Sequence, residues 1–179
     1  MLLHWTQDAP LYLLPLLVLP LFTFFGGGQE ELGWRGYLQP ELEERVNLLL
    51  ASILVGIIWA FWHWPLFVLP GYPQNDLSIV AYTLFVIPQS IILTWIYYQS
   101  QGSTLVCVLY HGMLNAVSFA TMQLGYVGGI LPIEVLSFGL YVVITIGLLL
   151  WTGTRLGQPS KENTFNTNEN RPAMDVFAV

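Results

Sequence analysis

Apolar residues run through most of the chain, and polar breaks divide it into about five stretches near the roughly 20 residues that a membrane helix needs. The stretches are roughly 10–36, 47–69, 78–98, 104–123 and 132–151. Within the first, Pro15, Pro20 and Gly26-Gly27-Gly28 are poor helix-interior residues and predict a break before Gln29. A second helical stretch is then expected from near Gln29 through Glu44. Pro65 and Pro70 close the next span, and Gly71-Tyr72-Pro73-Gln74-Asn75-Asp76 reads as a surface loop. Gln101-Gly102-Ser103 makes a further turn. Beyond Trp151 the residues change to Asn, Thr, Glu, Lys and Pro, which predicts a polar, disordered tail over 152–179 behind a membrane-embedded domain of residues 1–151. The expected fold class is all-α: a polytopic membrane helix bundle of about five or six helices.

Composition sharpens this picture. Of 179 residues 55% are hydrophobic and 9% charged, against roughly 25% charged in a soluble domain, so an ordinary cytosolic globule is excluded. A formal charge of −6 argues against nucleic acid as a partner and leaves the lipid bilayer. The opening MLLHWTQDAP lacks a basic region and a cleavage site, so no removable signal peptide is expected, and His4 reads as interfacial. Cys107 lies in an apolar run and reads as helix packing. Arg35, Arg45, Arg155, Lys161 and Arg171 fall on or lean toward one side of an alternating thread, which places that side and the C-terminus in the cytoplasm.

An ionisable group at the centre of a membrane helix costs on the order of 2.5–3.5 kcal/mol, so each one should face a protein interior or a wet cavity. Here they are Glu30, Glu31, Arg35, His63 and His111, with Asn115 beside the last. At about 100° per residue, Glu31 and Arg35 share a helix face and can neutralise each other, which leaves Glu30 as the carboxylate free for chemistry. Trp59 stands one turn before His63. His111 and Asn115 are also one turn apart, and two donors converging from one face can stabilise an oxyanion. Each motif has a plainer reading as well: a structural ion pair, a packed histidine, an interhelical hydrogen bond.

Depth tests the three together. Glu30 lies 17 residues before Asn47 and His63 lies 16 after it. A hairpin turning near Val46–Asn47 therefore brings both to one level, about 24–26 Å from the turn. His111, nine residues after Gly102, reaches that level if the first hairpin projects about 10 Å further into the cytoplasm. Other intramembrane chemistries find little support: the chain has no His-Glu-x-x-His and no Gly-x-Ser-x-Gly, Asp8, Asp76 and Asp175 lie outside the spans, and a Cys107 nucleophile has no electropositive neighbour except His111, four residues on.

The ordered set Glu-Glu-x-x-x-Arg (30–35), aromatic-x-x-x-His (59–63) and His-x-x-x-Asn (111–115) resembles the CAAX prenyl protease and bacteriocin-processing family of membrane endopeptidases. The strings EELGWRGYLQPEL, GIIWAFWHWPLF and LYHGMLNAVS carry the likeness over residues 20–120. The resemblance implies that Glu30 and His63 activate the attacking water, that His111 and Asn115 form the oxyanion hole, and that Glu31 and Arg35 order the site. It implies a membrane-anchored peptide or protein substrate, prenylated or not, in a prokaryotic plasma membrane. No cofactor is needed on this reading; zinc held by Glu30, His63 and His111 is the alternative. Trp59 stands where the family usually has Phe, a change of packing. The family's usual bundle has more helices ahead of the first motif, so a short member, a fragment, or a homo-oligomer that completes the wall is expected. A non-catalytic membrane protein, such as a bacteriocin-immunity factor or a partner-binding scaffold, is the reading from another class.

Overall fold

The computed structural model describes residues 14–76, 78–122, 126–127 and 131–158. Helix α1, Leu14–Phe24, stops at the glycine run, and Gly27 takes a φ of +110°, a conformation open to a residue without a side chain. The chain then re-enters helix as α2, residues 28–43, in four unlike turns. They are a 3₁₀ turn Gly28–Glu30, an α turn Glu31–Gly33, a π turn Trp34–Leu38 and a final α turn Gln39–Glu43.

The π turn has a cause in the sequence. Pro40 has no N–H for the Gly36 carbonyl, and its ring crowds that carbonyl, so the helix widens ahead of it. The Gln39 N–H reaches back to the Trp34 carbonyl instead. Residues four apart on an α-helix drift by about 40° per step; the wider turn reverses that drift. Glu31, Arg35 and Gln39 are accordingly all fully buried on one line.

Helix α3, Leu48–Trp62, begins at Asn47, whose side chain accepts the Leu50 N–H at 2.9 Å. It ends at His63, and a short α4, Trp64–Val68, carries Pro65 in its first turn. Helices α5, Ile79–Gln99, α6, Thr104–Met122, and α7, Ile133–Thr152, complete the bundle. Between α6 and α7 in sequence, Tyr126–Val127 pairs antiparallel with Leu131–Pro132. The architecture is all-α, as expected.

Helix α3 packs on α5, α1 on α6, and α7 on α5. At Gly56 a Cβ would come within 3.1 Å of the Ile87 Cα, so this glycine lets α3 and α5 approach backbone to backbone. Trp59, Ala60, Val86, Leu93 and Cys107 form one core cluster, with the Cys107 thiol buried as packing.

Among the described residues, α5 and the span Val135–Arg155 are long and apolar enough to cross a membrane, while Leu48–Trp62 and Thr104–Ser118 are apolar but shorter. The first two expected spans are shorter than their apolar runs because the helix breaks at Gly27 in one and at His63 in the other. Part of the expected tail also belongs to the bundle. Gly153–Arg155 form a 3₁₀ turn, and Leu156 is fully buried against Ile91 and Leu148 with Leu48 and Leu49 alongside. The expected tail residues 159–179 lie outside the described residues.

Candidate active site

The three motifs meet in the middle of the bundle. The expected pair of Glu31 and Arg35 is present at 2.9 Å with both side chains fully buried. The second oxygen of Glu31 accepts Nδ1 of His111 at 2.8 Å, so α2 and α6 are joined through one carboxylate. Arg35 spends Nη2 on the carbonyl and the hydroxyl of Ser90, at 2.8 and 2.9 Å, and its guanidinium carbon lies 5.8 Å from the centre of the Trp59 ring. Ser90 in turn donates its hydroxyl to the Ser52 carbonyl. A buried charge pair of this kind is tolerable because nearly every lone pair and proton around it is engaged.

Glu30 is held differently. Trp34 and Trp59 both donate their indole N–H to Oε2, at 3.2 and 3.0 Å, and among the described residues Oε1 accepts no hydrogen bond. Glu30 thus stays clear of Arg35, as the helical spacing predicts, and its negative charge is met by neutral donors rather than a cation. The level is set one turn from the expectation, since Glu30 meets Trp59 and His63 follows four residues later. Trp59, expected to be a packing change, is a hydrogen-bond donor that a phenylalanine could not replace.

The two histidines carry their protons on the same nitrogen for different reasons. His63 Nδ1 lies 2.9 Å from the Trp59 carbonyl, and a carbonyl only accepts, so the proton sits on Nδ1 and the neutral ring presents Nε2 as an acceptor. His111 Nδ1 faces the Glu31 carboxylate, which also only accepts. His63 is therefore suited to receive a proton. With Nδ1–H on Glu31, His111 Nε2 faces the cavity and donates only when the ring carries both protons.

Asn115 donates Nδ2 to the Gly26 carbonyl at 2.6 Å. A Cβ at Gly27 would fall 2.6 Å from that Nδ2 and 3.2 Å from His111 Nε2, so the glycine is what lets the α1–α2 break come up against both nitrogens. Trp59, His63, His111 and Asn115 line one cavity of about 580 Å³ whose walls are mostly apolar and include Phe85 and Tyr82, the latter in ring contact with His63 at 5.6 Å. Among the described residues no three His, Cys, Asp or Glu side chains are grouped to hold a metal ion. Glu30, His63 and His111 are not grouped in this way.

Several residues here were not singled out from sequence. Ser90 and Gln89 are polar positions inside an apolar 21-residue helix, a signal as specific as a charge once amides and hydroxyls are counted. Gln39 follows Arg35 by four and Glu31 by eight, which only the π turn makes significant. Gly27 reads as a helix breaker until its neighbours across the bundle are known.

An all-α bundle with membrane-length helices and a buried carboxylate–imidazole centre beside an apolar cavity defines a class of integral membrane protein built around an intramembrane polar site. Residues 12–117 match the Type II CAAX prenyl endopeptidase Rce1-like family, and the chain belongs to that family. It is 37% identical over 92 residues to CAAX prenyl protease 2 of Methanococcus maripaludis, an alignment that covers 48% of this chain and 34% of that relative. The chain thus matches about a third of the relative's length.

Proposed function

We propose that the chain is an intramembrane endopeptidase that hydrolyses a peptide bond near the C-terminus of a membrane-anchored protein or peptide. The reading rests on one observation: His63, His111 and Asn115 line a single cavity whose Trp59 wall holds the Glu30 carboxylate. Water attacks the scissile carbonyl carbon as Glu30, aided by His63 Nε2, takes its proton. The carbonyl oxygen gains the negative charge and is met by His111 Nε2 and by the second N–H of Asn115 Nδ2. Collapse of the tetrahedral intermediate breaks the C–N bond, and the proton held by Glu30 passes to the leaving amine. Glu31 fixes the His111 ring, and Arg35 balances Glu31.

No step here requires a metal. The name of the relative, CAAX prenyl protease 2, supports a prenylated substrate, and its organism, Methanococcus maripaludis, supports a prokaryotic membrane. Arg45 and Arg155 are both exposed, and the contact of the turn Gly153–Arg155 with α3 and the shared cluster of Leu48, Leu49 and Leu156 bring them to one end of the bundle; we assign that end to the cytoplasm.

Glu30→Gln keeps the size and one acceptor oxygen but cannot take the proton. Cleavage of a prenylated C-terminal peptide by the purified variant should fall by roughly 10²- to 10⁴-fold, with the thermal unfolding of the protein in detergent little changed. Turnover near wild type would remove Glu30 from the role of base.

A further inference from the structure

The cavity contains two carboxamides that the reaction above does not use. Gln89 stands on α5 immediately after Pro88 and is 7% exposed, and among the described residues it makes no hydrogen bond. Its neighbour Ser90 faces Arg35, so the 100° step between them turns Gln89 toward the cavity. Gln74 lies in the 3₁₀ turn Pro73–Asp76 and lines the same cavity, with a buried Oε1 that has no partner. Its loop is pinned: Asn75 donates Nδ2 to the Leu66 and Leu69 carbonyls, at 3.1 and 2.9 Å, and accepts the Gly71 N–H at 3.1 Å. Two amides are therefore held, one by a helix and one by a pinned turn, against an apolar space that leaves them unsatisfied.

A buried polar group without a partner is costly, and native proteins keep few of them. A hydrocarbon chain in the cavity offers neither donor nor acceptor. A peptide backbone offers both at every residue, and a carboxamide carries the complementary pair of an N–H donor and a C=O acceptor. We propose that Gln89 and Gln74 form a backbone clamp: they hydrogen-bond main-chain amides of an extended substrate segment in the cavity, with Gln89 as the principal contact. The clamp recognises peptide whatever its side chains and whatever its lipid.

This inference rests on the endopeptidase reading, so its test measures binding rather than cleavage. The probe is a fluorescent C-terminal peptide carrying one prenylated cysteine, titrated into the full chain in detergent in the Glu30→Gln background. Gln89→Leu should raise the Kd by roughly 5- to 100-fold, the range for one lost buried hydrogen bond. Prenylated cysteine methyl ester, which has no peptide bond, should bind both proteins within twofold. Replacing single backbone amides of the probe by esters should identify one position whose effect disappears in Gln89→Leu. Gln74→Leu should give the same pattern with a smaller loss, and it tests the clamp if Gln89→Leu fails to fold. Unchanged peptide affinity in both variants, an equal loss for the methyl ester, or no coupling at any ester position would overturn the proposal. Wild-type protein that binds the peptide with this pattern but does not cleave it would overturn the endopeptidase reading and leave the clamp standing.

Discussion

Two polar regions adjoin each other at His111, and they are built on opposite principles. On one side the chain His111, Glu31, Arg35, Ser90 is closed: both oxygens of Glu31 are occupied, and Arg35 is left with only Nε unpaired. On the cavity side the polar groups have capacity to spare. Glu30 has an oxygen without a donor, His63 and His111 present Nε2, and Gln89 and Gln74 have no partner among the described residues. A saturated cluster holds a fold and a ring orientation, while an unsaturated one is arranged for something that arrives later. The neighbours Glu30 and Glu31 fall on different sides of this divide because one faces two indoles and the other a guanidinium.

The comparison predicts that damage to the closed side appears first in stability. Arg35→Met leaves Glu31 as a buried charge whose remaining partner is a histidine. The cost should be about 3–5 kcal/mol, seen as a large drop in the midpoint of thermal unfolding in detergent. Adding Glu31→Leu to Arg35→Met should recover most of that stability, because a buried pair replaced by apolar residues of similar volume is often close to neutral. The double variant should stay inactive, since His111 then has no carboxylate to hold its ring. A single Arg35→Met protein as stable as wild type would mean that the cluster does not depend on the Arg35 charge and is not closed.

On the open side the damage should appear in rate. Trp59→Phe keeps an aromatic ring and removes one of the two donors on Glu30 Oε2. A hydrogen bond to a charged group contributes about 1.5–3 kcal/mol. If it is used to aim Glu30, kcat should fall by roughly 10- to 100-fold with KM nearly constant. Steady-state cleavage of the prenylated peptide separates the two constants. A change confined to KM would make Trp59 a wall of the cavity and nothing more.

The sequence supplied the closed side more fully than the open one. The glycine break, the Asn47 turn and the Glu31–Arg35 spacing follow from local rules, since each involves residues within four of one another or a turn chemistry with few alternatives. What was not legible depends on partners distant in sequence. The His111–Glu31 bond joins residues 80 apart, and Trp59 reaches Glu30 across 29. The shift of His63 to the end of α3 comes from Pro65, which was read as closing a longer span. The π turn ahead of Pro40 reorients Gln39, and no hydrophobic periodicity marks it. Counting charges alone passed over Ser90 and Gln89, because an uncharged amide in an apolar helix raises the same question of a partner at a lower cost.

The smallest effect should come from the far end of the closed side, where the polar line continues outward. The single Thr94 hydroxyl proton is shared between the Ser90 carbonyl at 2.9 Å and Gln39 Oε1 at 3.3 Å, Gln39 Nε2 donates to Glu43, and the Tyr98 hydroxyl donates to the other Glu43 oxygen. Ser90, Thr94 and Tyr98 are one turn apart on α5, so one helix face carries the line from the Arg35 guanidinium to the end of α2. Tyr98→Phe removes only the last donor. Glu43 there is partly exposed and keeps Gln39, so water can replace the hydroxyl. Stability should fall by about 0.5–1.5 kcal/mol and peptide cleavage should stay within twofold. A loss of activity far beyond that would mean that the line transmits position from the end of α2 to His111, and the closed region would then be part of the catalytic machinery rather than its support.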